Sequence, residues 1–471
     1  MSKNRFELHE ERLATTDEKG HRIYLYPIDV KGIWRHRRDF FYWTLIVLYL
    51  VLPWTHFGGK QTILLNIAAR EFTLFGQTFF ATDLPLLLIL ILGGLFLIGF
   101  ITSIWGRVWC GWACPQTVFI DAIYRKIEIL IEGNARSRAA LDKAPWSASK
   151  VFKRALKWTL YLIVSLHIAH SFLGYFVGTR DLFWITTRPP EENMGLFIAM
   201  VGITALCLFD FGWFREQFCI IACPYGRLQS VIMDKDSLVV AYDTNRGEPR
   251  RGVAPTKDDE GDCINCYHCV QACPTGIDIR RGTQLECIAC TACIDACDEI
   301  MEKVSRPAGL IRYTTETQLE GGSVSHFRAR SVIYLSVSLA IFLAGIYFVN
   351  RAADMSFTAI RAVGTPFTQS TLADGRREIV NRYVITVDVK DTNQTTPLWF
   401  SSTRDDITVI SAPRPLTPKV GHTRANVFFK FSPSLLKDGS LKTTIEVLQG
   451  KNEKEATLIK QLEINLVGPF Q

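Results

Sequence analysis

Eight cysteines stand in two sets of the same form: Cys263, Cys266, Cys269 and Cys273, followed by Pro274, and then Cys287, Cys290, Cys293 and Cys297. Both read C-x2-C-x2-C-x3-C, the spacing of bacterial two-cluster ferredoxins, in which three closely spaced thiolates wrap one face of an iron–sulfur cube and the fourth reaches across to the other. The expected ligand sets are therefore Cys263, Cys266, Cys269 and Cys297 for one 4Fe–4S cluster, and Cys287, Cys290, Cys293 and Cys273 for the second. Zinc sites pair two C-x2-C units across a longer loop, which this sequence does not do. Asp298 stands where the second set would carry its proline, which leaves the local turn open. His268, between two ligands, is read as a surface residue tuning solvation. Such clusters move single electrons, so the chain needs a donor and an acceptor.

A second, shorter pattern occurs twice. "RVWCGWACPQ" (107–116) and "REQFCIIACPYG" (215–226) share aromatic-Cys-x-x-Ala-Cys-Pro, with Cys110 and Cys114 in one copy and Cys219 and Cys223 in the other. Each copy follows an apolar run, so the unit of two runs plus motif is a parallel repeat, and symmetric packing would bring four sulfurs together. Proline favours the first position of a helix, which would make Cys114 and Cys223 N-caps with lowered thiol pKa values. Thiolates are soft ligands that select Cu(I), zinc or iron–sulfur species. Small buried cysteines used only for packing are the alternative. Cys207 is read as a lone buried thiol. His167 and His170 share a helical face, as interior histidines or the wall of a quinol pocket. His56 stands in another run, and neither haem nor flavin is indicated. No G-x-G-x-x-G or P-loop is present, so no nicotinamide donor is expected to bind directly.

The elements that must position these cysteines are apolar. The chain has 471 residues, 48% hydrophobic and 21% charged, with net charge +7. Five runs, at 39–57, 84–105, 156–177, 194–213 and 331–349, approach the ~20 residues that cross a bilayer core as a helix. Basic residues cluster before the first run (Lys31, Arg35, Arg37, Arg38), between the second and third (Arg107 to Lys157) and just before the fifth (Arg328, Arg330). The positive-inside rule then places the N-terminus and the ferredoxin insert in the cytoplasm and exports the C-terminal part. The basic residues sit beside apolar runs, so nucleic acid is not expected as a partner. All thirteen cysteines lie between Cys110 and Cys297, within runs or cytoplasmic loops. Reduced thiols there suggest metal chemistry rather than disulfides. Residues 355–471 alternate with period two between turn residues, as in "REIVNRYVITVDVKD" and "NVFFKFSP", which implies an antiparallel β-sandwich of immunoglobulin-like form. The expected fold is multidomain. A cytoplasmic segment (1–38) precedes a helical membrane domain (39–230), a two-cluster ferredoxin domain (231–328) and a fifth transmembrane helix (329–350). A periplasmic immunoglobulin-like domain (351–471) follows.

The combination of a polytopic helical domain, paired C-x3-C-P motifs, dicluster insert and β domain resembles the FixG/CcoG family of cytochrome oxidase accessory proteins. That resemblance implies a cupric reductase in the bacterial cytoplasmic membrane that supports copper delivery to cbb-type oxidases. It makes Cys110, Cys114, Cys219 and Cys223 candidates for receiving copper, with the copper ion as substrate and oxidase assembly factors or subunits as partners. Reduction of Cu(II) is a one-electron step, matched to a one-electron cluster. Other readings stay open: a quinol-linked module feeding another reductase, a non-enzymatic assembly scaffold, or a third iron–sulfur centre on the four membrane-proximal cysteines. The electron donor is unidentified and a homodimer is open.

Overall fold

The structure, a computed structural model, describes residues 15–16, 19, 21–69, 71–80, 84–253, 256, 258–325, 328–351, 355–371, 377–389 and 396–469. Most of the expected N-terminal segment (1–14) and the end of the alternating stretch at 390–391 lie outside the described residues. The chain forms two compact units, Met1–Asn66 with Leu88–Gly345 and Ile67–Leu87 with Ile346–Gln471.

Among the described residues, four helices are long and apolar enough to cross a membrane: Leu88–Trp105, Ala148–Val177, Pro190–Phe214 and Ala329–Phe348. They contain most or all of four of the expected runs. The run at 39–57 folds differently. Helix α1 covers Ile33–Val51 and gives way at Pro53 to a 3-10 turn, Leu52–Trp54. The helix thus stops at Val51, and the last part of the expected run leaves it through the Pro53 turn into a short strand, so its apolar part is shorter than the run suggested. Helix α2 is Leu84–Trp105 and α3 is Ala148–Val177. Ser147 caps α3 by accepting from the Lys150 amide, and Gly178, at φ 92°, ends it. At 30 residues α3 is about 45 Å long, so it outreaches the hydrocarbon core and carries its first turns, with Lys150 and Lys157, beyond it.

Charged side chains cross-link the helix ends. The Asp121 carboxylate accepts from Arg35 at 2.7 Å, Arg38 at 2.9 Å and Arg125 at 3.0 Å. Glu128, fully buried, meets Arg215 at 3.0 Å, Arg138 at 3.2 Å and Lys157 at 3.6 Å. Burial alone would raise both carboxyl pKa values. The guanidiniums hold Asp121 well below the usual carboxylate range, and Arg215 and Lys157 bring Glu128 down to about 2.

The ferredoxin portion of this unit includes the helices α4 (His268–Ala272) and α5 (Ala292–Lys303), beside a two-stranded antiparallel sheet of Val239–Tyr242 and Ile311–Thr314. Its core includes Val240, Ile279, Ile294, Met301 and Leu310. Asp298 lies inside α5, and its carboxylate accepts from the Gly309 amide at 2.7 Å. Where a proline would have ended the turn, this side chain ties down the chain that leads to the sheet.

The second unit is β-rich. Strands β1 (Met355–Arg361), β2 (Thr368–Thr371), β3 (Arg377–Val389), β4 (Leu398–Ser402), β5 (Ile407–Ala412), β6 (Gly421–Phe431), β7 (Ser440–Gln449) and β8 (Thr457–Val467) are antiparallel wherever they pair. Among these eight strands, one sheet has the order β5-β6-β3-β1, with β2 also on β3, and another has the order β4-β7-β8. Alternate residues from both sheets, among them Ile385, Val387, Phe429, Ile445 and Val447, share one core. Asn381, fully buried on β3, reaches across to β8: its amide donates to the Val467 carbonyl and accepts from the Val467 amide, both at 2.8 Å. Asn381→Ala strands both groups, so the β unit should lose about 1–3 kcal/mol in a denaturant titration of the full-length protein. A change of only a few tenths would show that water replaces the side chain.

Candidate metal centres

The two ferredoxin loops have the same backbone path. In each, the residues two and four places after the first cysteine adopt positive φ: Asn265 at 59° and Tyr267 at 58°, Ala289 at 53° and Thr291 at 62°. A non-glycine residue there costs roughly 1–3 kcal/mol, and repetition at equivalent positions marks loops shaped around something. The loops gather cysteines in the crossed manner. One cavity is lined by Cys263, Cys266, Cys269 and Cys297, and a second by Cys273, Cys287, Cys290 and Cys293, with Cys269 on its edge. Arg280 braces the first loop, donating to Asn265 at 2.7 Å and stacking over Tyr267. His268 lies at the start of α4, half-buried on the rim of the first cavity.

The donor set suits iron–sulfur clusters. Burial first, and the neighbouring Cys290 second, push Cys273 up to about 11; burial and Asp298 push Cys297 up to about 12. Thiols so desolvated become thiolates when cationic iron supplies the missing charge, with release of protons. Residues Cys263, Cys266, Cys269 and Cys297 would hold one cube and Cys273, Cys287, Cys290 and Cys293 the other. When bound, each cube supplies single electrons.

The duplicated motif forms a third group. Cys110 lies in a short helix, Val108–Trp112, and Cys219 in a π-helical turn, Phe218–Ala222. Cys114 and Cys223 are the N-caps of helices that open with Pro115 and Pro224. The four thiols lie within electrostatic reach of one another: Cys219 feels Cys114, Cys110 and Cys223. The expectation of lowered pKa values fails for Cys114. Burial outweighs the amides of Gln116 and Thr117 and raises its pKa, and burial pushes Cys110 up to about 11 and Cys219 higher still. Desolvation, not the helix terminus, dominates at this site. Among the described residues, no three His, Cys, Asp or Glu side chains are gathered for a single metal ion. The fully buried Gln229 accepts from the Cys110 thiol at 3.3 Å and lies beside Tyr225. A thiolate at Cys110 would reverse that need, and turning the carboxamide would present its N–H to sulfur.

The other sequence candidates stay apart. Cys207 packs in the helical core near Leu208. His167 and His170 both ride on α3, while His56 turns to the Trp54 carbonyl at 3.1 Å.

Sequence reading missed the residues that join the membrane motif to the ferredoxin. Arg107, counted only as a topology charge, donates to the carbonyls of Gly226 at 2.9 Å, Cys287 at 3.2 Å and Leu285. Arg38 donates to the Cys290 carbonyl. Trp112 donates to the Tyr313 hydroxyl at 3.0 Å, which donates to the Ala289 carbonyl at 3.2 Å. Asp295 on α5 caps α1 by accepting from the amides of Trp34 at 3.2 Å and Arg35 at 2.7 Å. Gly111, between Cys110 and Cys114, went unread, although glycine inside a motif is a residue type that allows close backbone approach.

Residues 214–316 match a family model described as a 4Fe–4S dicluster domain, and residues 84–134 match one described as a 4Fe–4S binding domain. The chain therefore carries two 4Fe–4S clusters. Protein RdxA of Cereibacter sphaeroides is 36% identical over 361 residues, 72% of this chain and 74% of RdxA. Protein RdxB of the same organism is 36% identical over 364 residues, with the same shares. Nitrogen fixation protein FixG of Rhizobium meliloti is 35% identical over 307 residues, 62% of this chain and 57% of FixG.

Asp121→Asn would leave Arg35, Arg38 and Arg125 buried around a neutral amide. Breaking such a pair costs about 3–5 kcal/mol, so thermal unfolding in detergent should begin at clearly lower temperature, with earlier loss of cluster absorbance. An unchanged melting curve would show that water already screens these arginines.

Proposed function

This chain belongs to the FixG family of polyferredoxin-like proteins, and from that premise we propose that it reduces Cu(II) to Cu(I) at Cys110, Cys114, Cys219 and Cys223. It is a membrane-associated iron–sulfur electron-transfer protein. The observation that carries the copper reading is the close approach of Gly111, in the motif of Cys110 and Cys114, to the loop that bears Cys287 and Cys290, with Cys219 within electrostatic reach of the other three thiols. Reduction of Cu(II) to Cu(I) needs one electron, which a cluster held by Cys273, Cys287, Cys290 and Cys293 would supply, and no bond to carbon or oxygen is made or broken. The chain's own residues hold the ion. Two or more of the four thiols lose protons to water as copper binds, and the soft sulfur set favours the reduced ion. Gln229 supplies an N–H for the thiolate at Cys110.

The same reading keeps the N-terminus and the ferredoxin portion in the cytoplasm, beside the basic ends of the apolar runs, with α1 as a fifth crossing of the bacterial inner membrane. The β unit is then a periplasmic, immunoglobulin-like docking module for a partner in cbb-type oxidase assembly, in line with the family resemblance.

One observation favours a second reading, a third iron–sulfur centre on the same thiols: the 4Fe–4S binding match at 84–134 spans Cys110 and Cys114. Iron analysis separates the two. About eight irons per chain fits copper reception and about twelve fits a third cube.

Mixing anaerobically reduced protein with Cu(II), while cluster bleaching and a Cu(I)-specific chelate are followed together, should give matched oxidation and Cu(I) formation. Both should slow in a Cys110→Ser/Cys223→Ser variant that keeps its two clusters. Equal rates would make copper an adventitious oxidant and remove the thiols from the reaction.

A further inference from the structure

We infer that the two ligand sets work in a fixed order. The set Cys273, Cys287, Cys290 and Cys293 serves the membrane thiols, with Gly111 and Arg107 as its positioning residues, and the set Cys263, Cys266, Cys269 and Cys297 takes electrons from a soluble one-electron reductant. The ordering rests on the ligand sets and electron-transfer role given above, and extends them.

Gly111 sits between two of the membrane cysteines, and Ile288 and Ala289 sit between Cys287 and Cys290. A Cβ at Gly111 would lie 2.4 Å from the Ala289 carbonyl oxygen and 2.7 Å from both the Ala289 carbonyl carbon and the Ile288 oxygen. These are backbone atoms that cannot rotate away, so any side chain at 111 must push the whole ligand loop outward. Arg107, buried, fixes the same seam from the side. Its guanidinium bridges the carbonyl of Gly226, next to the second membrane motif, to those of Leu285 and Cys287 on the ligand loop. A fork of fixed geometry can hold three carbonyls from two chain segments; a lysine ammonium cannot hold them in the same register. The seam also has Cys219 and Cys290 lining one cavity. One member of each metal-binding group therefore faces the same small space.

The other set is turned outward. Cys266 is the one exposed cysteine of the chain, and the cavity around it is walled by ferredoxin residues such as Tyr242, Arg280 and Met301. Cys269 lines both ferredoxin cavities, so the two sets abut. Solvent, the outward set, the inward set and the membrane thiols thus lie in series. Each transfer moves one electron without breaking a bond, and its rate falls steeply with the separation that Gly111 and Arg107 set.

Two measurements on the full-length protein in detergent test the ordering, one of them without copper. Gadolinium(III) chelates, which dithionite does not reduce, are attached through a ketone-bearing residue introduced in place of Ser230, which lines a pocket with Cys287, or in place of His268, on the rim of the outward cavity, in dithionite-reduced protein. The Ser230 label should speed relaxation of one reduced-cluster signal and the His268 label that of the other. If both act on the same signal, the ordering is wrong. In the second measurement, Gly111→Ala should slow Cu(II)-driven oxidation about tenfold or more. Its iron content and its rate of reduction by dithionite should be unchanged. Arg107→Lys should act in the same direction, which keeps the test alive if Gly111→Ala fails to fold. Unchanged oxidation in both variants overturns the positioning role. If unsubstituted protein is not oxidised by Cu(II) at all, the copper reading fails, and the relaxation measurement still decides the order.

Discussion

The backbone of Gly111 lies against the backbone of Ile288 and Ala289 closely enough that a side-chain carbon could not be inserted. That approach makes the membrane motif and a ferredoxin ligand loop one surface rather than two neighbours. Around it the bonds are local and directional: Arg107 and Arg38 to loop carbonyls, Trp112 and Tyr313 in relay to Ala289, Asp295 as the cap of α1. The α1 cap is instructive. The amides that open a membrane-proximal helix are satisfied by a side chain from a cluster-bearing helix, so neither element is complete alone. Gly32 obeys the same constraint, because a Cβ there would lie 2.3 Å from the Asp295 carboxyl.

Holding that seam in place requires many charges out of water, which is unfavourable unless each finds partners. The solution is to share. One carboxylate, Asp121, serves three arginines drawn from α1 and the chain after α2, and Glu128 does the same for Arg138, Lys157 and Arg215. Arginine suits this work because its fork can bond to a carboxylate and a carbonyl at once; Arg38 spans Asp121 and Cys290 in this way. Basic residues that the sequence offered as topology charges are thus also the bolts of the assembly.

Much of this was legible beforehand, and for physical reasons. Cysteine spacing anticipates two loops of one backbone path and the crossed grouping of the cysteines around two cavities, because a loop that wraps a cube needs that spacing. Apolar runs report four long helices, since a bilayer demands length; the run at 39–57 was read too long because apolar residues continue past Val51, where Pro53 turns the chain out of the helix. Period-two alternation reported the β unit. Prolines after Cys114 and Cys223 reported helix starts, yet the thiol pKa argument went the wrong way at Cys114 because burial is a tertiary property that spacing cannot carry. The seam was also hidden. Arg107, Asp295 and Gln229 lie far in sequence from what they touch, and a lone Arg, Asp or Gln has no pattern.

The account stands on the claim that the four membrane thiols receive the copper. X-ray absorption at the copper edge, on reduced protein given one equivalent of Cu(II) without air, tests it most directly. A Cu(I) edge with a sulfur-only shell, lost when Cys110, Cys114, Cys219 and Cys223 are replaced by serine, is the predicted result. A Cu(II) edge with nitrogen and oxygen neighbours, or a sulfur shell that survives those replacements, would contradict it.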